Sequence, residues 1–263
     1  MNILEKIMAD IRRDLVAEKE LHPEADTIAR ARQMPPCRDF RGAFARPETV
    51  RIIAELKKAS PSKGLIRERF EPEQLALELE SAGAAALSVL TEKNYFLGHQ
   101  DYLHRVSQRV DIPVLRKDFI FDPYQIYRAR VLGADAILLI AAALERNDFA
   151  RLLRTARELG LGVLSEVHNR DELAMVLDLG VDVVGINCRD LKTFHTDLAV
   201  IARMLELIPP GQVAIAESGI TGPDDIRQLI AAGAAGFLIG ETLMRAEHPG
   251  VMLSELIDGA RRS

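Results

Sequence analysis

Four junctions of one kind punctuate the chain: Ser81-Ala-Gly-Ala-Ala-Ala-Leu, Val131-Leu-Gly-Ala-Asp-Ala-Ile, Asp178-Leu-Gly-Val-Asp-Val-Val and Ala231-Ala-Gly-Ala-Ala-Gly-Phe. Each places a glycine (Gly83, Gly133, Gly180 or Gly233) between a stretch of helical period and a short apolar run. Glycine enters the left-handed conformation that ends a helix without the clash a β-carbon brings, so each junction reads as a helix stop followed by a strand. The four glycines recur about every 50 residues, the length of two strand–helix units. Few folds are open to a chain with this repeat.

Eight apolar runs follow residue 49: Val50 to Leu56, Ala85 to Leu90, Pro113 to Leu115, Asp135 to Ile140, Leu161 to Glu166, Asp182 to Asn187, Gln212 to Glu217 and Ala235 to Ile239. Between them, Pro72 to Ala82, Asp101 to Arg109, Pro123 to Leu132, Arg146 to Leu159, Asp171 to Leu179, Leu198 to Leu207 and Pro223 to Ala232 have helical periodicity, and His248 to Arg261 adds a closing helix. Continuous apolar strands alternating with amphipathic helices form a parallel sheet covered on its outer face. Eight such units in about 210 residues fit a closed (β/α)8 TIM barrel of the α/β class, whereas a doubly wound sheet has fewer strands. Ahead of them, Leu4, Ile7, Ile11 and Leu15 recur at helical spacing, and a short helix is expected around Ala25 to Arg32. Phe40 and Phe44, after Pro35-Pro36, offer an anchor to a core. The expectation is an N-terminal helical extension, residues 1–48, packed on a barrel catalytic domain, residues 49–263, in a single structural domain.

The 263 residues, 48% apolar and 28% charged, suffice for one large core. A net charge of −5 and the lack of a long Lys/Arg run argue against a nucleic-acid partner. Cys37 and Cys188 cannot form a CxxC unit, and so few cysteines fit a reducing compartment. The opening MNILEKIMADIRRDL mixes acids and bases too closely for a signal peptide, and no uncharged run reaches membrane-spanning length. A cytoplasmic protein without a membrane partner is expected.

In a barrel, chemistry belongs at the C-terminal ends of the strands. Those ends read Glu55/Lys57, Ser88/Thr91, Lys117, Glu166, Asn187/Arg189, Glu217/Ser218 and Gly240. Glu55 and Lys57 share a face because side chains alternate along a strand; a catalytic pair and a solvated surface pair both fit that segment. Lys117 fits a proton donor, a Schiff-base nucleophile, or an ion-pair partner of Asp118 or of a neighbouring strand's acid. Glu166 fits an acid or base with a raised pKa, or a satisfied structural carboxylate. Asn187 and Arg189 share parity with Gly185, and the Arg189 guanidinium can grip an anion with two parallel bonds. Ser60, Ser62, Lys63 and Gly64 suit an anion. The glycines of Glu217-Ser218-Gly219-Ile220 and Ile239-Gly240-Glu241-Thr242, after strands seven and eight, make a backbone cradle for a phosphate. The six histidines show no paired metal-ligand spacing, and no nucleotide fingerprint or GxSxG elbow is present. His168 reads as a structural or solvent-facing group. What remains is cofactor-independent acid–base chemistry on a phosphorylated small molecule.

The segments Ile53-Ala-Glu-Leu-Lys-Lys-Ala-Ser-Pro-Ser-Lys-Gly, Leu87-Ser-Val-Leu-Thr-Glu, Pro113-Val-Leu-Arg-Lys-Asp-Phe, Ser165-Glu-Val-His, Gly185-Ile-Asn-Cys-Arg-Asp-Leu, Ala216-Glu-Ser-Gly-Ile and Leu238-Ile-Gly-Glu-Thr-Leu-Met-Arg stand in the order found in a known family. Over nearly its whole length the chain resembles indole-3-glycerol phosphate synthase, a (β/α)8 enzyme of tryptophan biosynthesis with a helical extension over the barrel mouth. The resemblance implies cofactor-free closure of 1-(2-carboxyphenylamino)-1-deoxyribulose 5-phosphate to indole-3-glycerol phosphate, with loss of CO₂ and water. It implies that Lys117 is the general acid, that Glu166 serves the later proton transfers, and that Lys57, positioned by Glu55, holds the substrate and acts as a second acid. Asn187 and Ser218 complete the implied catalytic set, and Arg189 and Glu217 bind substrate. Ser60, Gly219 and Gly240 take the phosphate, while Phe96, Phe119 and Leu138 wall the aromatic ring. Weak association with other enzymes of the pathway is compatible with it. The chain departs from the family pattern at Cys188 (asparagine expected), Ser165 (valine), Thr242 and His99 (serine). Two other readings are a Schiff-base aldolase acting on a sugar phosphate through Lys117 and a non-catalytic phosphate-binding barrel.

Overall fold

The computed structural model describes residues 3–45, 49–187 and 197–261. Helices α1 (Ile3–Leu21) and α2 (Glu24–Gln33) precede eight strands: β1 (Ile52–Leu56), β2 (Ala86–Leu90), β3 (Val114–Lys117), β4 (Ala136–Ile140), β5 (Gly162–Val167), β6 (Val183–Asn187), β7 (Val213–Glu217) and β8 (Gly236–Ile239). All pair in parallel and in chain order, and β1 bonds to both β2 and β8, which closes a (β/α)8 barrel. Between successive strands run α3 (Pro72–Ser81), α4 (Gln100–Ser107), α5 (Pro123–Val131), α6 (Arg146–Glu158), α7 (Arg170–Asp178), α8 (Leu198–Leu205) and α9 (Pro223–Ala231); α10 (Glu241–Arg245) and α11 (Pro249–Arg261) follow β8. Every strand falls on one of the eight apolar runs, with β3 extending to Lys117. The sequence pattern shows neither α10 nor the hairpin of Ala59–Ser60 with Gly64–Leu65 in the loop after β1. Five-residue helices and two-residue strands are too short to display a period.

The junction glycines behave as their positions demand. Gly83, Gly133, Gly180 and Gly233 all have positive φ, from 69° to 107°, directly after a helix.

Alternation along the strands builds two cores. Ile52, Ala54 and Leu56 of β1 face outward into the layer shared with the helices, while Ile53 joins Leu115, Leu138, Leu164, Ile215 and Leu238 inside the barrel. Phe40 and Phe44, edge to face at 5.5 Å, belong to the inner cluster and plug it at the strand starts. The N-terminal segment therefore touches both ends of the barrel. Its α1 lies at the mouth, where Tyr95 donates to Asp10 (2.7 Å), Lys93 pairs with Asp14 (3.0 Å) and Arg128 pairs with Glu18 (2.9 Å). Helix α2 packs on α5. Beyond it Arg38 donates to the carbonyls of Ile112 (2.7 Å) and Ser107 (2.6 Å), and its backbone N–H to Asp135 (2.8 Å), which brings the two phenylalanines under the floor.

Candidate active site

The inward parity that puts Ile53 in the core places Glu55 and Lys57 above it, and the same step up the other strands raises Lys117, Glu166, Asn187 and Glu217. All six line one cavity of about 590 Å³ at the C-terminal ends of the strands, within the range of small-molecule sites. Lys117 Nζ lies 3.3 Å from Glu166 Oε2 and 3.9 Å from Glu217 Oε2. Lys57 Nζ donates to Glu55 Oε2 at 2.5 Å. Asp118 does not compete for Lys117: it turns behind the sheet to the buried Arg116 (2.9 Å), which also donates to Thr91 Oγ1 (3.1 Å). Of the readings left open for Lys117, the neighbouring acid is its partner.

In the lumen Lys57 pairs with Glu55 and Lys117 lies nearest Glu166, so that Glu217 has only the longer 3.9 Å contact to Lys117. Burial works against the charge on Lys117, yet Glu166, Glu217 and Glu55 outweigh it and hold its pKa well above the usual lysine value. Burial would raise Glu166, but Lys117 and His168 pull it far below the carboxylate range. Glu55 is lowered as well, burial being overcome by Lys57 and Lys117. Glu217 goes the other way. Burial and the nearby charge of Glu166 push its pKa well above the carboxylate range, and its Oε1 has no hydrogen-bond partner. The expected raised carboxyl is thus Glu217 rather than Glu166, because two cations reach Glu166 and none is dedicated to Glu217.

Bare backbone makes room for these groups. A β-carbon at Gly185 would overlap Glu217 Oε1, and one at Gly240 would overlap Glu55 Oε2. At the end of β7, Ser218 holds a left-handed φ of 66°, costly for a residue with a β-carbon, and Gly219 follows at 74°. This turn aims Ser218 Oγ at Asn187 Oδ1, to which it donates at 2.9 Å. Ser60, Gly219 and Gly240 line one part of the same cavity, and Lys63, Glu241 and Arg245 add an ion-pair cluster there, Glu241 lying 3.5 Å from Lys63 and 3.0 Å from Arg245. Phe96, Phe119 and Leu138 supply an apolar wall, the two rings tilted with centroids 6.1 Å apart. The carboxylate of Glu92 fixes that wall by accepting the backbone N–H groups of Asn94, Tyr95 and Phe96 at 2.7–3.0 Å.

Of the residues expected in the site, Arg189 lies outside the described residues, as does the departure at Cys188. Two of the other departures, His99 and Thr242, have local hydrogen-bond roles, and nothing in the structure explains Ser165. His99 caps α4 by accepting the Asp101 N–H (3.1 Å), and Thr242 donates to the Ile220 carbonyl (2.7 Å). Ser165 is fully buried on the outer face of β5, and its hydroxyl has no partner. Two contributions were not anticipated. Ile3, Leu4 and Ile7 of α1 line the cavity, and so does His168, whose Nε2 is 3.3 Å from Glu166 Oε1. Among the described residues no group of three or more His, Cys, Asp and Glu side chains is arranged to hold a metal ion, and no helix is long and apolar enough to cross a membrane.

Comparison with known proteins bears on the fold and on the family. Solved barrels similar at low identity include KGPDC from Streptococcus mutans (13% identical, TM-score 0.62, covering 81% of this chain and 98% of that one) and 3-hexulose-6-phosphate synthase from Salmonella typhimurium (12%, 0.65, 80% and 97%); at such identity they speak for the fold alone. Full-length relatives called indole-3-glycerol phosphate synthase come from Koribacter versatilis (52% identical, covering 97% of this chain and 98% of the relative), Rhodopirellula baltica (46%, 93% and 95%) and Alkaliphilus metalliredigens (44%, 98% and 98%). The family model described as indole-3-glycerol phosphate synthase matches residues 4–256, and with these relatives it shows that the chain belongs to the indole-3-glycerol phosphate synthase family.

Proposed function

We propose that the cavity above Glu55, Lys117, Glu166 and Glu217 carries out the family's carboxy-lyase reaction, closing 1-(2-carboxyphenylamino)-1-deoxyribulose 5-phosphate to indole-3-glycerol phosphate. The observation that carries this reading is Lys117 Nζ held between Glu166 and Glu217 in the cavity that the Phe96–Phe119 wall also lines. The substrate's phosphate sits against Ser60, Gly219 and Gly240, with its aromatic ring on Phe96, Phe119 and Leu138. Bent in this way, the ring carbon that bears the carboxylate faces the ketone. Such positioning is worth about 7–11 kcal/mol of barrier in favourable cases.

As the ring carbon attacks, the carbonyl π pair moves to oxygen, and Lys117 gives that oxygen a proton. Lys117 holds its proton at neutral pH, and an alkoxide is more basic than an amine, so the transfer runs downhill. The bond to the carboxylate then breaks, CO₂ departs, and its electron pair restores the aromatic ring. In the last step the new hydroxyl leaves as water with a proton from Lys57, while Glu166 takes a proton from the adjacent carbon and that C–H pair closes the indole double bond. Glu55 holds Lys57 in place, and Asn187 with Ser218, Arg189 and Glu217 binds the substrate's polar groups. The lowered pKa of Glu166 keeps it ionised, the form that can accept a proton, and its basicity has to be recovered as Lys117 gives up its own proton.

A Schiff base at Lys117 requires a neutral amine, and the raised pKa disfavours that form, so the aldolase reading loses support. The same proposal takes residues 1–48 as an extension that closes the mouth and floor of one catalytic unit. It assigns a cytoplasmic enzyme with a phosphorylated small-molecule substrate, no nucleic-acid or membrane partner, no cofactor, and at most weak association with other enzymes of the pathway.

Indole fluorescence after mixing purified protein with the substrate tests the reading. Lys117→Ala is expected to lower turnover by about 10²–10⁴-fold, and near-normal turnover would remove Lys117 from the acid role. Borohydride trapping should yield no lysine adduct.

A further inference from the structure

We propose that His168 is a positioning residue for Glu166, clamping one carboxylate oxygen so that the other faces Lys117 and the reacting carbon. This inference rests on the reading of Glu166 as the proton acceptor. His168 follows β5 with the same parity as Glu166, so the two side chains stand next to one another at the cavity wall. Its Nε2 lies 3.3 Å from Glu166 Oε1, while Lys117 occupies Oε2 at 3.3 Å. The carboxylate is thus held from two sides, one oxygen to each cation.

The imidazole is itself fixed. Its Nδ1 lies 3.3 Å from Glu172 Oε2. Glu172 is anchored in turn: it accepts the His168 backbone N–H (2.7 Å) and Asn169 Nδ2 (2.6 Å), and its own N–H is capped by Asn169 Oδ1 (2.9 Å) at the start of α7. An ionised carboxylate only accepts hydrogen bonds, so a ring with a carboxylate oxygen 3.3 Å from each nitrogen is favoured as the imidazolium, which presents an N–H to both. In agreement, although burial opposes the charge, the hydrogen bonds to Glu166 and Glu172 push the His168 pKa up to about 10. Among the described residues, the charged groups acting on His168 are Glu166 from β5 and Glu172 from α7. Those around Glu166 are Lys117 from β3, Glu217 from β7 and Glu55 from β1, while β4 offers Leu138 and Ile140 and β6 offers neutral Asn187.

Removal of the clamp therefore has two consequences. Glu166 gains rotational freedom, which slows the step it serves, and it loses one of its two cations, which raises its pKa. The acid limb of the turnover profile then moves to higher pH.

The test compares turnover against pH for wild type, His168→Gln, Glu166→Gln, Glu172→Gln and the double variant His168→Gln/Glu166→Gln. His168→Gln is expected to lower kcat by about tenfold with KM within about threefold, and to shift the acid limb upward. Glu172→Gln, which keeps the imidazole but loosens it, should shift the same limb by less. In the Glu166→Gln background His168→Gln should cause no further loss, because its action passes through Glu166. Wild-type kcat and pH profile in His168→Gln would overturn the inference. So would a loss of equal size in both backgrounds, which marks a structural role. Near-normal turnover in Glu166→Gln would instead overturn the acceptor role on which the inference stands, so the two failures are distinguishable. If His168→Gln does not fold, nitrogen NMR of histidine-labelled wild type decides: a doubly protonated His168 ring at about pH 8 is expected, and a neutral one refutes the clamp.

Discussion

The two halves of the barrel lumen are built by the same strands with the same inward parity, yet they do opposite things. Below, Ile53, Leu115, Leu164 and Ile215 join Phe40 and Phe44 in a buried apolar plug. Above, one or two steps further along β1, β3, β5, β6 and β7, the inward positions become Glu55, Lys57, Lys117, Glu166, Asn187 and Glu217. Alternation decides which residues face the axis, and height along the strand decides whether they stabilise the fold or serve the chemistry. The lower half gains free energy by removing apolar area from water. In the upper half the desolvation of charged groups is offset only by their mutual pairing, and at Glu217 burial and the nearby charge of Glu166 leave the pKa raised.

The sharpest way to break this contrast is at the floor. Phe40 is 2% exposed, packs edge to face on Phe44, and presses against Gly162 at the start of β5. Phe40→Ala is expected to cost about 3–5 kcal/mol in urea unfolding while leaving kcat of the folded enzyme unchanged. A kcat loss greater than the stability loss would show that floor and mouth are not separable.

Glu217→Gln probes the mouth in the opposite sense. A carboxyl whose folded pKa is raised binds more protons in the folded than in the unfolded chain. Between the unfolded value, about 4.3, and the raised folded value, stability therefore falls as pH rises. Glutamine mimics the protonated form and lacks that loss. Glu217→Gln should be more stable than wild type by on the order of 1–2 kcal/mol at about pH 8, with the advantage shrinking toward about pH 4. An advantage that does not vary with pH would mean that Glu217 is ionised in the folded enzyme.

The division between floor and mouth also marks what could be read from the chain. Glu55 with Lys57, Lys117, Glu166, Asn187 and Glu217 were readable because parity is local, and a strand shows it within a few residues. The Glu55–Lys57 pair was readable for the same reason, but the partners of Lys117 were not, because it meets Glu166 and Glu217 only after the barrel closes. The sequence leaves Glu166 open between an acid or base with a raised pKa and a satisfied structural carboxylate for the same reason, since burial is visible in a segment and the cations that oppose it are not. His168 looked inert as an isolated histidine. A signal was nonetheless present in Asn169-Arg170-Asp171-Glu172, a helix-capping pattern whose glutamate also reaches the imidazole. The floor plug was half readable: Phe40 and Phe44 announced an anchor, but nothing local said that it lies at the end of the barrel away from α1.

The smallest expected effect comes from Ser165, which belongs to neither half. It neighbours Glu166 in sequence but points away from the lumen, where its hydroxyl is buried without a partner. A buried hydroxyl that has left water without a replacement bond costs roughly 1–3 kcal/mol, and part of that cost is recovered when the hydroxyl is removed. Ser165→Val is expected to raise stability by about 1 kcal/mol in urea unfolding and to leave kcat and its pH profile as they are. Ser165→Ala separates the two contributions, since it removes the hydroxyl without adding volume. If alanine stabilises and valine does not, the space behind β5 is full and overpacking cancels the gain. If either variant changes the pH profile, then the outer face of β5 is coupled to Glu166, and the separation of strand faces argued for the whole barrel fails at this position.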